Sequence, residues 1–207
     1  MTDKRGLISR LNQGACGAPV VLELGCGNCK RNADAIGVDM IDYPCVDIVG
    51  DIAEVLAALP RRSISTIRSF HCLEHLDHVG DVLRKMEAAL AVNGMAEIVV
   101  PHFSNPYFYS DYTHRQFFGL YTFSYLATDT LFKRKVPQYQ AATRLRLVEV
   151  ALEFKSTPPF YGRHAVKRAI GKVVNSCRAA QEFYEEMLCW IFPCHEIRYV
   201  LQKVERE

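Results

Sequence analysis

Apolar and polar positions in the first half of the chain follow two alternating patterns. Short apolar runs at residues 20–24, 36–40, 46–49 and 63–70 are typical of strands buried in a parallel sheet. Residues 77–91 have helical spacing instead, with Asn93-Gly94 as a stop signal and a fifth strand at 95–100. The apolar face of this helix is Val79, Val82, Leu83, Met86 and Leu90. Strands that alternate with helical segments predict right-handed βαβ crossovers and a mainly parallel sheet.

The second half is less regular. Residues 144–154 alternate as a long strand, whose change of phase between Leu147 and Val148 predicts a bulge. Residues 165–191 predict a helix that ends before Pro193, and Ile197, Tyr199 and Leu201 predict a final strand. The predicted buried stripe of the helix is Val166, Ile170, Val173, Cys177, Phe183, Met187 and Ile191.

Composition narrows the class of protein. The 207 residues are 49% hydrophobic and 23% charged, which is typical of a globular protein, and we expect a single domain over 1–207. The net charge of +2 argues against a nucleic-acid binder held by bulk electrostatics. No apolar run approaches the ~18–20 residues of a membrane span, and the N-terminus lacks a secretory signal pattern. We therefore expect a cytoplasmic protein without an integral membrane segment.

The eight cysteines raise the question of a metal site. Cys26 and Cys29 have the spacing of half a zinc site or of a redox pair, and Cys194-His195 is the adjacent candidate for a second half. Reduced thiols packed as small hydrophobic side chains are the favoured interpretation in a cytoplasmic protein. We predict no metal.

A glycine turn and three acids follow the first strands. Gly25 and Gly27 end the first strand directly after Glu23, Asp39 ends the second strand, and Asp51 follows the third. Carboxylates at the ends of successive parallel strands line one crevice, where open α/β sheets bind ligands. A ligand with an ammonium group, a ribose and an exocyclic amine would use all three acids.

These residues carry a resemblance to a known family. The segment Leu22-Glu23-Leu24-Gly25-Cys26-Gly27-Asn28 resembles motif I of the class I S-adenosylmethionine-dependent methyltransferases. Gly37-Val38-Asp39 resembles the acidic end of their second strand, and Gly50-Asp51-Ile52 resembles their adenine-side motif. Segments 59–75 and 93–101 resemble their fourth-strand region and the turn into their fifth strand, so that the resemblance covers about residues 20–101. Two departures are Cys29, where the family often has a third glycine, and Ser65-Thr66, where it usually has an aspartate.

The resemblance implies an α/β, Rossmann-like fold with a mostly parallel seven-stranded sheet and helices on both faces. It also implies S-adenosylmethionine as the cofactor of the half at 20–101, with an acceptor lid built from 102–143 and 155–192. The implied site places Glu23 near the methionine amino end, Gly25 and Gly27 under the cofactor, and Asp39 on the ribose hydroxyls. Asp51 and Ile52 are implied at the adenine, and Phe70 and His71 at the sulfonium side. Cys26 and Met40 are further expected cofactor contacts.

Candidate catalytic residues lie in an aromatic block at 102–126. Asp111 and His114 could pair, with the carboxylate orienting the imidazole as a general base; the same residues could cap a helix near Thr113. His102 and His75 are further candidates, each with structural hydrogen bonding as the alternative. A metal shared by His102, Asp111 and His114 is a weaker hypothesis. The ten aromatic residues of the block could form a satellite core, an acceptor pocket or both, and stacking of a flipped base is a third use.

The preferred function is methylation of a small molecule at oxygen, with a carbohydrate or natural product as acceptor. The alternatives are an RNA or protein methyltransferase and a non-catalytic protein that binds S-adenosylmethionine. An NAD-dependent dehydrogenase fits less well because Lys30 stands where its fingerprint needs a third glycine. Three interpretations are open for the basic stretch 163–178: a solvated helix face, a site for an anionic acceptor, or a contact with an acidic membrane surface. A homodimer is left open.

Overall fold

The computed structural model describes residues 1–13, 19–137 and 143–205, which form one mixed sheet of nine strands. The strands are β1 (Thr2–Asp3), β2 (Val21–Leu24), β3 (Ile36–Asp39), β4 (Ile48–Val49), β5 (Ile64–Phe70), β6 (Leu90–Pro101), β7 (Thr128–Asp129), β8 (Leu145–Glu153) and β9 (Glu196–Lys203). The helices are α1 (Leu7–Asn12), α2 (Ile52–Ala58), α3 (Val79–Ala89), α4 (Tyr161–Val174) and α5 (Arg178–Phe183). Short 3₁₀ turns cover Leu73–His75, Pro106–Ser110 and Thr122–Tyr125.

The strand order is β1-β4-β3-β2-β5-β6-β9-β8-β7. Strands β4, β3, β2, β5 and β6 are parallel, and β9 runs antiparallel between β6 and β8. The chain moves outward from β2 to β4 and then returns to β5 on the other side of β2, so the carboxyl ends of β2 and β5 flank a topological switch point. The predicted α/β Rossmann-like fold with a mostly parallel sheet is confirmed.

The predicted count of seven strands is wrong. The two additional strands are the edge strands β1 and β7, which pair with β4 and β8. Each contains two residues, too few for an alternating pattern to be visible in the sequence.

The helix α3 buries the face that its spacing predicts, because Val79, Val82, Leu83, Met86 and Leu90 are all buried. Its end differs from the prediction. The helix gives way to β6 at Leu90, and Asn93-Gly94 lies inside that strand, next to an irregularity in its pairing with β5. Asn93 adopts a φ of 63°, a conformation that asparagine tolerates better than most residues. The dipeptide therefore bends a strand instead of ending a helix.

The predicted bulge in the long strand is confirmed. Strand β8 changes its register against β9 between Leu147 and Glu149, so Val148 is the extra residue. This bulge reverses which side chains of β8 face the core, as the change of phase requires.

The prediction of one helix over 165–191 is wrong. The segment forms α4, a break at residues 175–177, α5 and a π-helical turn at Tyr184–Leu188. The Asn175 side chain lies at the break, where its amide donates to Leu152 O and Gly171 O and its Oδ1 accepts from Leu152 N. Most residues of the predicted buried stripe are exposed, namely Val166, Val173, Cys177, Phe183, Met187 and Ile191.

Buried apolar side chains form one cluster that extends from β2 and β3 to β8 and β9. Leu22, Ile67, Ile98 and Tyr199 are among its fully buried members. Within the described ranges, none of the helices combines the length and the apolar character needed to cross a membrane.

Candidate functional site

A cavity of about 380 Å³ opens at the carboxyl ends of β2, β3, β4 and β5. This volume falls within the usual range of small-molecule sites. The backbone of the glycine turn and the carboxylates after β3 and β4 form its polar wall, and apolar side chains form its rim. The lining residues are Gly25, Gly27, Asp39, Met40, Ile41, Tyr43, Gly50, Asp51, Ile52, His71, Cys72, His75 and Leu76.

The glycine turn approaches the cavity with backbone alone. Gly25 and Gly27 have φ values of 64° and 58°, in the left-handed region that favours glycine. A Cβ on Gly25 would lie 2.5 Å from the Sγ of Cys72, whereas one on Gly27 would meet nothing within 4 Å. The turn therefore packs directly against the loop after β5 and leaves its other side open to a ligand.

Asp39 and Asp51 hold the two ends of this wall. Asp39 accepts hydrogen bonds from the backbone N–H of Gly27 (2.8 Å) and of Ile41 (2.9 Å), one on each carboxylate oxygen. Asp51 caps α2 by accepting from the N–H groups of Ala53 and Glu54, both at Oδ1. A carboxylate has about four acceptor positions, so each can accept further hydrogen bonds from a ligand.

Three residues of the predicted cofactor set lie outside the cavity lining. Glu23 is buried, and its carboxylate accepts from the N–H groups of Arg31 and Asn32, which holds the helix-free crossover from β2 to β3. Phe70 stacks under the guanidinium of Arg31, whose Cζ lies 4.1 Å from the ring centroid. Cys26 packs beneath the crossover, and burial raises the pKa of its thiol to about 12. All three side chains therefore stabilise the turn and its surroundings instead of lining the cavity.

His71 brings a positive charge to the cavity. Its Nε2 lies 2.8 Å from Glu196 at the start of β9, and its Nδ1 lies 3.5 Å from the buried Glu74. Hydrogen bonds to these two carboxylates raise the pKa of His71 to about 9. Burial raises the pKa of Glu196, but hydrogen bonds from His71 and Lys155 outweigh it and lower that pKa to about 2. The imidazolium at the cavity wall therefore persists at neutral pH.

The raised pKa of His71 predicts a pH-dependent stability. Since it lies at about 9 in the folded protein against an ordinary 6.5, the stabilisation is complete below pH 6.5 and is lost as the pH rises through about 9. We expect the unmodified protein to lose about 1 kcal/mol of unfolding free energy over this pH rise, and His71→Gln not to show this loss. The value is reduced for solvent screening, because the side chain is partly exposed. Urea unfolding of the unmodified protein and of His71→Gln, below pH 6.5 and above pH 9, measures this difference. An equal change of unfolding free energy with pH in the two proteins would contradict the ion pair.

His75 and His114 meet at the mouth of the same cavity, with ring centroids 4.8 Å apart. Thr113 donates its hydroxyl hydrogen to Asp111 (2.6 Å), so its oxygen must accept from Nδ1 of His75 (2.9 Å). Likewise, Nδ1 of His114 donates to Phe108 O (2.9 Å). Neutral forms of both imidazoles then carry their lone pair on Nε2. Of the two, His75 lines the cavity.

Asp111 interacts more strongly with Thr113 than with His114. Hydrogen bonds from the hydroxyl and the backbone N–H of Thr113 lower the pKa of Asp111, which keeps this exposed carboxylate ionised. Its Oδ2 lies 3.6 Å from Nε2 of His114, which is beyond hydrogen-bonding distance. The predicted pairing with His114 is thus weaker than a chain from Asp111 through Thr113 to His75.

Among the described residues, one group combines possible metal ligands: Glu74, His75 and His114, with atoms within 4.8 Å of one another. Two bonds of ~2.2 Å span at most ~4.4 Å, so this group would have to contract around an ion. The group contains neither a cysteine nor His102. The zinc hypothesis and the His102–Asp111–His114 hypothesis therefore have no counterpart in the described geometry.

His102 lies in the interior, away from the cavity. Its side chain is fully buried, with Nδ1 2.8 Å from the hydroxyl of Ser104 and Nε2 3.2 Å from Glu185. Both ring nitrogens are occupied, and the geometry favours structural hydrogen bonding over a role as base.

The aromatic block divides between core and surface. Phe108, Phe118 and Phe123 are buried, whereas Tyr112 is 97% exposed. Other aromatic side chains line a separate groove of about 470 Å³, which has no lining residue in common with the first cavity. Part of the expected lid, residues 138–142, lies outside the described residues.

Several residues of the site were not predicted. Thr113 stands in the Asp-x-Thr pattern of a local side-chain turn, a signal that could have identified it. Glu74 lies beside the predicted His75, but its burial has no signal in the sequence. Glu196 reaches His71 only because β9 folds back beside β6.

Comparisons with known proteins agree with the fold. Neither a protein-family model nor a curated protein sequence matches the chain. A solved S-adenosylmethionine-dependent methyltransferase of Archaeoglobus fulgidus is 19% identical with a TM-score of 0.57, over 97% of this chain and 94% of that one. The YcgJ protein of Bacillus subtilis is 14% identical with a TM-score of 0.52, over 96% and 97%.

A third solved structure extends beyond this chain. Phosphoethanolamine N-methyltransferase 2 of Haemonchus contortus, in complex with S-adenosylhomocysteine, is 12% identical with a TM-score of 0.50. The match covers 98% of this chain and 53% of that one. Together with the strand order and the position of the cavity, these likenesses show that the chain has the fold of the class I S-adenosylmethionine-dependent methyltransferases.

Proposed function

We propose that the protein binds S-adenosylmethionine in the cavity at the ends of β2 to β5 and transfers its methyl group to a small molecule. The observation that carries the proposal is the convergence of two left-handed glycines and two strand-end carboxylates on one cavity. The polar wall of the cavity suits the hydroxyl and amino groups of a nucleoside. Apolar contacts from Met40, Ile52 and Leu76 suit the base and the thioether chain.

Each polar group has a role in this proposal. Asp39 accepts from the ribose hydroxyls while its own hydrogen bonds to Gly27 and Ile41 keep the carboxylate in position. Asp51 accepts from the adenine amine through Oδ2, since its capping bonds use Oδ1. His71 holds the wall of the cavity in place through its ion pairs with Glu196 and Glu74. Glu23 acts indirectly, by holding the crossover that forms the turn.

The catalytic residue in this proposal is His75. When bound, S-adenosylmethionine supplies a methyl group already activated by its sulfonium. The chain must then align the acceptor, exclude water and take up the proton that a hydroxyl loses as its oxygen forms the new bond. Nε2 of His75 can receive that proton, because Thr113 and Asp111 hold Nδ1 in its protonated form. His114 packs against His75 and limits the ring's rotation. The need for a base favours oxygen as the methylated atom.

A small hydroxylated acceptor, such as a carbohydrate or natural product, suits this site. In this proposal the entrance for the acceptor is beside His75, where the segment Asp111–Arg115 contacts the loop after β5. The backbone N–H of Arg115 donates to Glu74 O (2.7 Å), and its guanidinium pairs with Asp77. These contacts hold the segment against the loop that carries His75. A polymer would instead need a broad basic surface around the entrance.

Cofactor binding is tested by calorimetry on ligand-stripped protein with S-adenosylmethionine and S-adenosylhomocysteine. Asp39→Asn should lower the affinity for both by about 10–100-fold, because an amide replaces a charged acceptor. The matched control is Asp34→Asn, which removes an exposed carboxylate from the same crossover and should leave the affinity unchanged. Absence of binding by the unmodified protein, or equal affinities for Asp39→Asn and the unmodified protein, would contradict the proposed site.

The acceptor class is tested by release of S-adenosylhomocysteine. We expect turnover with the dialysable fraction of a cell extract and none with its RNA or protein fractions. Turnover with RNA that weakens with added salt would identify a nucleic-acid methyltransferase instead. Tight cofactor binding without turnover on any fraction would identify a non-catalytic binding protein.

A further inference from the structure

The helix α4 presents some of its apolar residues to solvent. The side that faces β8 is formed by His164, Lys167, Ile170, Gly171 and Val174, which recur at helical spacing. Two contacts fix this orientation: a Cβ on Gly171 would lie 3.2 Å from the ring of Phe154, and Nζ of Lys167 donates to Lys155 O.

The opposite side of the helix is an exposed apolar stripe of Ala165, Val166, Ala169 and Val173. Val166 is 61% exposed and Val173 is 70% exposed. At the start of the helix, Phe160 and Tyr161 are exposed as well. We call these six residues the α4 face. A surface helix ordinarily carries polar residues on its outer side, so an exposed apolar stripe there indicates a contact outside the chain.

Cations flank the α4 face on both sides. At 3.6 residues per turn, Arg163 lies on one side of the stripe, and Arg168 and Lys172 lie on the other. All three are exposed, and no aspartate or glutamate occurs between Glu153 and Glu182. The positive charge beside the stripe is therefore not neutralised by acids of the same segment.

One flank also forms an open groove of about 480 Å³. Lys155, His164, Arg168 and Lys172 supply its basic side chains, and Glu153 is its acid. Lys155 is already paired with Glu196, so Arg168 and Lys172 are the cations turned towards an incoming anion. A phosphate group attached to an apolar chain would fit such an arrangement, with its charge in the groove and its chain along the stripe.

We propose that the α4 face binds the surface of an anionic lipid bilayer, with the stripe among the upper acyl chains and Arg163, Arg168 and Lys172 at the phosphates. Helices with an apolar stripe between basic flanks lie in the interface of membranes without crossing them. A second copy of the chain is a poorer occupant. A two-fold contact through this face would bring the same cations together, and like charges repel.

The test is co-sedimentation of the full chain with vesicles of phosphatidylcholine alone or with about 30% phosphatidylserine. We expect at least tenfold stronger binding to the anionic vesicles, and weaker binding as salt is added. Val166→Ser/Val173→Ser and Arg168→Glu/Lys172→Glu should each lower that affinity by about tenfold or more. Because the four side chains are exposed, thermal unfolding of both variants should match that of the unmodified protein.

The matched control for charge is Arg10→Glu/Arg61→Glu, which makes the same change at exposed positions elsewhere and should retain vesicle binding. Equal binding to both kinds of vesicle, or full binding by the two α4 variants, would overturn the proposal. A dimer in sedimentation velocity that Val166→Ser/Val173→Ser dissociates would overturn it in favour of a second copy. Cofactor affinity should be unchanged in every variant, so this test is independent of the proposed catalytic function.

Discussion

Replacing His75 with alanine is expected to lower kcat for methyl transfer by about 10²–10⁴-fold, which is the usual contribution of a positioned general base. The reason is geometric: Thr113 and Asp111 leave the lone pair of His75 on Nε2, at the wall of the proposed cofactor cavity. KM for S-adenosylmethionine should change by less than about threefold, because the proposed cofactor contacts come from other residues. The measurement is steady-state release of S-adenosylhomocysteine with the acceptor found in the dialysable fraction.

Chemical rescue distinguishes a base from a structural residue. Free imidazole should restore part of the activity of His75→Ala, because it can enter the space that the missing ring leaves and accept the same proton. Thr113→Val should reduce kcat by about tenfold without rescue, as expected for a residue that positions the base. His78→Ala is the control, an exposed histidine three residues along the chain. Full activity of His75→Ala with a hydroxyl acceptor would eliminate the proposed base.

The parts of the site that could be predicted depend on local sequence. Gly25 and Gly27 need a left-handed backbone, and Asp39 and Asp51 sit where parallel strands end, so residue type and spacing were sufficient to bring them together. The bulge of β8 is local in the same sense, because the change of phase in its alternating pattern requires one extra residue in the strand at that point. Each of these features is decided within a few residues.

Features decided by distant contacts could not be predicted. Periodicity identifies the stripe that contains Val166 and Val173 on α4, but it cannot tell whether that stripe meets the protein. Contacts of Phe154 and Asn175 turn the side with Gly171 and Val174 inward instead. Glu23 has the right position for a cofactor ligand, yet its carboxylate is used by a crossover that contains no helix. The distinction between His75 and His114 depends on which ring lines the cavity, and that requires the path of the whole loop.

Gly25→Ala is expected to lower the affinity for S-adenosylmethionine by at least about 100-fold and the free energy of unfolding by about 2–4 kcal/mol. Two costs combine. A non-glycine residue at a φ of 64° costs roughly 1–2 kcal/mol, and the new Cβ would meet Sγ and Cβ of Cys72 at 2.5 and 2.6 Å. Since Cys72 is buried and belongs to the loop that carries His71 and His75, the clash must displace one wall of the cavity. Calorimetry and urea unfolding measure the two effects.

Gly6→Ala separates the backbone cost from the clash. Gly6 has a φ of 61° and a Cβ there would meet nothing within 4 Å, so this variant should lose roughly 1–2 kcal/mol and no cofactor affinity. A double-mutant cycle with Cys72→Gly, which removes both clashing atoms, should show a favourable coupling of about 1 kcal/mol or more. Equal effects of Gly25→Ala and Gly6→Ala on stability, with cofactor affinity retained in both, would mean that the turn does not press against the loop after β5. The cofactor would then have to bind elsewhere than against these two glycines.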